Sequence, residues 1–404
     1  MSLLSTAIES LNNDLGKLIQ LQEQFDDSNF YMDVVKGIQL LRQNIVKATH
    51  SALLRLDQSK PSTATLAEIV QSFPSSLVCR NRENELPVET LFWNKQLEYS
   101  CVLMQEGSKY QIGGDPRGGL FLPVRSSPNE HYMPLVQWLA LNYCRQSSPS
   151  NETDWNSYDI EALKLLKTLA ETNIFQPADV FNFNLLYWSC HENARLRFDY
   201  FVQMNPGALT TASDGTPLIH KHISIASLER FKIFIRASLR YFPHELGLLL
   251  QRNPQNITAV QQAFARFGKD VVLDALEECI PEGIKIPILH IVWAEAPLFF
   301  NDFFSKFPHC FYERDAYDRS FLQVALVAGN LTFLFDSMFF VSMSEDEQKE
   351  KDPLTGLYPF LSAAAYTRDL SVSYYLLRVC PSLIEDSFTH FEPLDDALEV
   401  FADI

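Results

Sequence analysis

Three sets of residues are of types that could do chemistry. His220-Lys221-His222, with Cys190-His191 upstream, offers the imidazole and thiolate donors that hold zinc. Gly113-Gly114-Asp115-Pro116-Arg117-Gly118-Gly119 has the backbone freedom a phosphate cradle needs, and Asp159 with Glu161 supplies two carboxyl groups for acid/base work. Spacing argues against all three. Imidazoles at i and i+2 do not face each other on a helix. The glycine-rich run lacks the Gly-Lys-Ser/Thr that finishes a phosphate loop, and nothing about Asp159 and Glu161 fixes them as an acid/base pair. Neither Gly-x-Ser-x-Gly nor His-Glu-x-x-His occurs. We therefore expect a chain that is not an enzyme, with no catalytic residue, no cofactor and no metal, its histidines serving structure and its glycines a turn between repeats.

The elements that must position these residues come from a repeat. A polar or aromatic residue, then Pro or an apolar substitute, then an apolar residue recurs as Ser320-Phe321-Leu322-Gln323, Tyr358-Pro359-Phe360-Leu361 and Glu392-Pro393-Leu394-Asp395, and with decreasing fidelity upstream as Pro287-Ile288-Leu289-His290, Thr258-Ala259-Val260-Gln261, Thr216-Pro217-Leu218-Ile219, Asn184-Leu185-Leu186-Tyr187, Met133-Pro134-Leu135-Val136 and Leu86-Pro87-Val88-Glu89. From Leu185 to Pro393 six steps cover 208 residues, just under 35 each; the earlier steps are 47 and 51, which predicts insertions in the first repeats. Ser, Thr or Asn in the first slot suits an N-cap, and Pro in the second suits the first helical turn, where its missing N–H costs nothing. Each copy thus starts an inner helix, and a longer helix follows it, such as Leu298 to Phe307 before Pro308. The links recur too: Phe73-Pro74 with Leu77, Asn205-Pro206 with Leu209, Phe307-Pro308 with Phe311, and Cys380-Pro381 with Leu383. A helix pair of some thirty residues cannot offset its own ordering entropy, so neighbours must stack.

Asp214-Gly215-Thr216-Pro217-Leu218, the run from Asp352 through Gly356 to Pro359-Phe360, and the helix-Pro-x-x-Leu links resemble the ankyrin-repeat family. The chain is most similar to the divergent ankyrin proteins abundant in some unicellular algae, on Gly356-Leu357-Tyr358-Pro359-Phe360, Leu376-Leu377-Arg378 with Pro381, and Arg117-Gly118-Gly119-Leu120. The likeness runs from about residue 62 to the end. The family's turn-linking His is kept as His290, or as His220 if that repeat is read one residue later, where it implies a backbone hydrogen bond. Elsewhere the slot holds Glu89, Val136, Tyr187, Gln261, Gln323, Leu361 and Asp395. These departures point to loops of unequal length in place of the family's regular hairpins.

We expect an all-α chain: residues 1–60 as an N-terminal helical hairpin, from the apolar stripes Leu4 to Phe25 and Val35 to Leu56, and residues 61–404 as an ankyrin-like helical-repeat solenoid closed by a capping helix. The hairpin either caps the solenoid or self-associates as a short coiled coil. With 404 residues, 47% hydrophobic and 21% charged, the chain can bury a large core. Its net charge of −17 disfavours nucleic acid and anionic membranes and favours proteins with basic surfaces. After Arg378 it holds acids and no Lys or Arg, which reads as a solvated face or a docking surface. No signal or membrane-spanning segment is visible, and seven scattered cysteines suit reduced thiols, so a cytoplasmic or nuclear location is expected. The thirty phenylalanines, including Phe299, Phe300, Phe303, Phe304, Phe333, Phe335, Phe339 and Phe340, read mainly as core, the alternative being one flank left exposed as a binding patch. The function the resemblance implies is a non-catalytic protein-binding scaffold that recognises partners through the concave groove of its inner helices and the turns before them, with Arg82, Glu83, Asp214, Asp315, Tyr317, Asp318 and Arg319 as candidate turn-tip contacts. The alternative is a permanent structural subunit of a larger assembly.

Overall fold

The computed structural model describes residues 62–82, 84–111, 116–124, 132–141, 152–329, 349–367 and 369–379, with isolated positions at 36–37, 40, 43–45, 49, 347 and 381. The expected hairpin at 1–60, the acidic stretch after Arg378, the capping helix at Pro393 and the phenylalanines from 333 to 340 fall outside the residues described, as does Glu83. The chain divides into two compact units, Met1–Lys221 and His222–Ile404. The division falls inside a helix, within the stretch the repeats mark as one solenoid.

The described chain is overwhelmingly helical, as expected. The first unit holds α1 (Thr63–Ser72), α2 (Pro87–Trp93), α3 (Leu97–Tyr110), α4 (Leu135–Leu141), α5 (Glu152–Glu171), α6 (Pro177–Asn182), α7 (Leu185–Ser189) and α8 (Arg195–Met204). Helix α9 (Leu218–Ile225) carries the division. The second unit continues with α10 (Leu228–Tyr241), α11 (Ala259–Phe267), α12 (Lys269–Cys279), α13 (Ile288–Glu295), α14 (Phe300–Lys306), α15 (Phe321–Val327), α16 (Pro359–Ser362) and α17 (Leu370–Val379). One small antiparallel pair, β1 (Pro123–Val124) with β2 (Met133–Pro134), interrupts the helices.

Each described copy of the repeated phrase starts a helix, with two corrections of register. Pro87 and Pro359 open their helices, but α4 begins at Leu135 and α9 at Leu218, one residue later than the phrase predicts. Pro134 and Pro217 instead sit in extended pairings, with Pro123 and Thr211. Capping is as the residue types predict at Thr258 and Ser320, whose hydroxyls accept from the N–H groups of Gln261 and Gln323; Gln323 returns a bond to Ser320 N–H, completing a capping box. Asn184 does not cap. Its backbone is left-handed, and its side chain is spent on Ser213.

The short phrase-started helices are buried on nearly every side: in α15 each residue from Phe321 to Leu326 is buried, and in α2 only Thr90 is not. The longer helices bury a single face, as in Phe231, Phe234, Ile235, Ser238 and Leu239 of α10. Among the phrase-started helices the exception is α11, which buries only Ala259, Val260 and Ala263. One predicted outer helix is shorter than the spacing suggests: the run from Leu298 begins as a 3₁₀ turn, Pro297–Phe299, and only then becomes α14.

The proline links have one physical cause. A residue before Pro is kept out of the helical region, and Phe73, Asn205, Phe242 and Phe307 sit at φ −135°, −147°, −130° and −120°. Each ends its helix, and Pro opens a 3₁₀ turn that buries the residue three further on, namely Leu77, Leu209, Leu246 and Phe311. The Phe242 link was not evident among the repeats. At Gln176-Pro177 the same link runs on into α6, which accounts for part of the long step before Leu185.

Candidate functional site

Five of the turns in front of the inner helices share one hydrogen-bond frame. In the first unit Asn81 N–H donates to Glu85 O at 2.9 Å and Ala212 N–H to Thr216 O at 2.8 Å. In the second unit Asn253 donates to Ile257 O at 3.0 Å, Asp315 to Arg319 O at 3.1 Å, and Asp352 to Leu357 O, one residue longer, at 2.9 Å. Just before the closing residue of each stands a left-handed position, held by Asn84, Gly215, Asn256, Asp318 and Gly356. Asn, Asp and Gly tolerate that conformation best. These five turns are more uniform than the departures at the His slot suggest, while the approaches to α7 and α13 lack the frame, as unequal loops would.

Three of the turns carry a clasp that the repeat phrase does not reveal. Arg80, Arg252 and Arg314 each precede the turn and donate to the carbonyl of the left-handed residue: Asn84 at 2.6 Å, Asn256 at 3.2 Å and Asp318 at 2.8 Å. In the same turns the side chain of Asn81, Asn253 or Asp315 accepts from the closing N–H at 2.8, 3.0 and 2.9 Å. The signal was present in the sequence: Arg-Asn/Asp-x-x-Asn/Asp lies seven residues before the second slot of the phrase at all three places.

The frame sorts the predicted contact residues. Arg82, Asp214, Tyr317 and Asp318 lie exposed on the turns. Asp214 is tied to Lys221 Nζ and Thr216 Oγ1, each at 2.6 Å, and these bonds hold its carboxyl well below the usual range. Asp315 and Arg319 are not free tips. Burial alone would raise the Asp315 carboxyl, but bonds from the Arg319 backbone and guanidinium and from Tyr317 N–H lower it. Both residues therefore build the turn.

Behind the turns runs the slot for the turn-linking residue. With α4 and α9 read from their true starts, it holds Gln137 and His220 rather than Val136 and Ile219. Gln137 Nε2 donates to Phe183 O at 2.9 Å, beside the start of α7, and Gln323 Nε2 to Glu350 O at 3.3 Å, beside the next turn. Arg314 reinforces the latter with a bidentate pair to Glu350 at 2.9 and 2.7 Å. His290 lies buried against the Arg319 turn and edge-on to Phe321, with ring centroids 5.4 Å apart. Neither of its ring nitrogens makes a hydrogen bond of strict geometry among the described residues, but the Arg319 backbone stands in looser hydrogen-bonding reach of the imidazole, on the turn where the linking bond is expected. Burial pushes this imidazole down to about 4; the Asp315 carboxylate opposes that and Arg319 adds to it.

His222, His191 and Asp159 have structural contacts. His222 is buried against Phe234, ring centroids 4.7 Å apart, and burial with the Arg230 charge lowers it to about 3. His191 caps a 3₁₀ turn by accepting from Asn193 N–H at 3.2 Å. Asp159 takes Arg197 Nε at 2.6 Å and Leu196 N–H at 2.8 Å, while the same guanidinium donates to Leu139 O; both charges are buried, joining α4, α5 and α8. Gly113 to Asp115 lie outside the described residues, but Gly118 has φ +68°, and a Cβ there would lie 1.9 Å from Met104 O. Close approach to α3 explains that glycine. Its neighbour Arg117 pairs with the buried Asp179 at 2.8 Å through both carboxylate oxygens.

No described helix is long and apolar enough to cross a membrane. No protein-family model matches the chain, and no curated protein matches it.

Proposed function

We propose that the chain is a non-catalytic protein-binding scaffold of ankyrin-like helix pairs, which recognises its partners through the turns preceding the inner helices. One observation carries this reading. The frame of the turns is repeated while the residues it holds out are not: the equivalent exposed tip is Asp214, Gln255, Tyr317 or Leu354, and Arg82 stands at the first turn. A turn frame that repeats while its side chains vary suits selective recognition, because binding energy concentrates in a few anchors such as Tyr and Arg held in place by their surroundings. Exposed Asp214 and Asp318, with the net charge of −17, favour a partner with a basic surface.

Reversing charge at both Asp315 and Asp318 is not a clean test, since Asp315 holds the turn. Tyr317→Ala with Asp318→Asn is the matched perturbation. Affinity recovery from native extract with the native chain and this variant tests the reading. Loss of a specific bound protein, with unchanged circular dichroism, supports it; identical recovery opposes it.

A second reading, a constitutive subunit of an assembly, is favoured by apolar side chains left exposed on the 3₁₀ turn before α14 and on α17. Leu298 is 93% exposed, and Leu370 and Tyr374 sit one turn apart on α17 at 81% and 71%. A chain that is monomeric and soluble when expressed alone would count against it.

A further inference from the structure

We propose that His309, Cys310 and Glu313 form a binding site for one divalent transition-metal ion, zinc by the character of its donors. One imidazole nitrogen, one sulfur and one carboxylate oxygen lie within 4.8 Å of one another. It is the one such group of three among the described residues, and it lies outside the spacings that sequence motifs use.

Local backbone geometry brings the donors together. Phe307 ends α14, and Pro308 opens the 3₁₀ turn Pro308–Tyr312, with Glu313 as its C-terminal cap. In a 3₁₀ turn residues i and i+3 eclipse each other, so Cys310 and Glu313 stand on one edge. His309 is adjacent, its ring edge-on to Phe307 at 6.4 Å. Cys310 is buried and anchors the sulfur, Glu313 is half-buried, and His309 is exposed.

The donor set selects the ion. Thiolate and imidazole suit zinc and its neighbours rather than calcium or magnesium. Zinc bonds of about 2.0 to 2.3 Å place tetrahedral ligands about 3.6 Å apart. The widest separation here therefore has to close by about 1 Å, a movement within the side-chain rotation of exposed His309 and half-buried Glu313. Three protein donors with solvent on the His309 side leave a fourth position open. On binding, the metal replaces the thiol proton, which passes to solvent, and thiolate plus carboxylate then balance the two charges of the ion. The nearby cation, Arg314, is held by Glu350 at 2.7 Å, so its charge is already compensated.

The test uses the full-length chain, stripped with a chelator under reducing conditions and titrated with Co²⁺. We expect a thiolate-to-cobalt charge-transfer band that saturates at one ion per chain and is bleached by added Zn²⁺. His309→Ala and Glu313→Gln should each weaken binding at least about tenfold, the lower range for loss of even a supporting residue around a metal. Cys310→Ser should remove the band. Cys310 is buried, so if that variant unfolds, His309→Ala at the exposed position decides the matter. No charge-transfer band, or one unchanged in both His309→Ala and Glu313→Gln, would overturn the site.

Discussion

The second unit should lose stability on mild acidification because two of its histidines are folded in their neutral form. His222 is lowered to about 3 by burial and by Arg230, and His290 to about 4 by burial, against the opposing Asp315 carboxylate. Unfolded, each would titrate near 6.5. Between that value and the folded one, the unfolded chain binds more protons, so stability is full above pH 6.5 and falls as pH is lowered toward 4. At pH 5 the unfolded imidazoles lie 1.5 pH units below their pKa, which corresponds to about 2 kcal/mol for each histidine and about 4 kcal/mol for the pair. The carboxylates whose pKa is lowered, Asp214, Glu278 and Asp315, lose their contributions only at still lower pH, so the interval from 7.5 to 5 isolates the histidines. Urea unfolding at pH 7.5 and 5.0, followed by circular dichroism, reads the difference. Replacing His290 by Gln, which occupies the matching slot at Gln323, should halve the loss. A fall in stability under about 1 kcal/mol in the native chain, or an equal fall in His290→Gln, would refute the reasoning.

Other outcomes follow from the same geometry. Gly118→Ala should cost at least about 2 kcal/mol in urea unfolding, because φ +68° strains alanine and the new methyl meets Met104 O. Arg197→Met should cost about 3 to 5 kcal/mol by leaving Asp159 buried and unpaired, while Arg197→Met with Asp159→Leu should recover much of it. Asp315→Ala should cost about 1.5 to 3 kcal/mol and Asp318→Asn less than about 0.5, since the first carboxylate is bonded within the turn and the second is exposed. Equal effects in thermal melts would contradict that distinction.

The helix starts were legible because Pro, Ser and Thr act locally, within one turn of where they stand. The links were legible for the same reason, since Pro constrains the residue before it wherever it occurs. Register slipped at Pro134 and Pro217 because Pro suits an extended residue as well as a first helical turn, and only the pairings with Pro123 and Thr211 decide between them. The Arg clasp escaped notice because it lies upstream of the phrase and recurs in three turns, and its partner is a backbone carbonyl that no side-chain pattern marks. Asp159 and Arg197 are 38 residues apart and meet through tertiary packing alone. Sequence alone does not separate Asp315 from a true tip, because an acid in a turn has the same signature whether it faces solvent or ties its own backbone. The His309 cluster depends on 3₁₀ geometry, which helical and metal-motif spacings both miss.

The central claim is that the turns, not the outer helices, contact the partner. Photo-crosslinking side chains placed singly at 214, 317 and 354, and at 271, 298 and 374, in the full chain incubated with native extract test it most directly. The account predicts that the first set captures one discrete protein and the second set does not. Capture confined to 298 and 374 would contradict it and support the constitutive subunit instead.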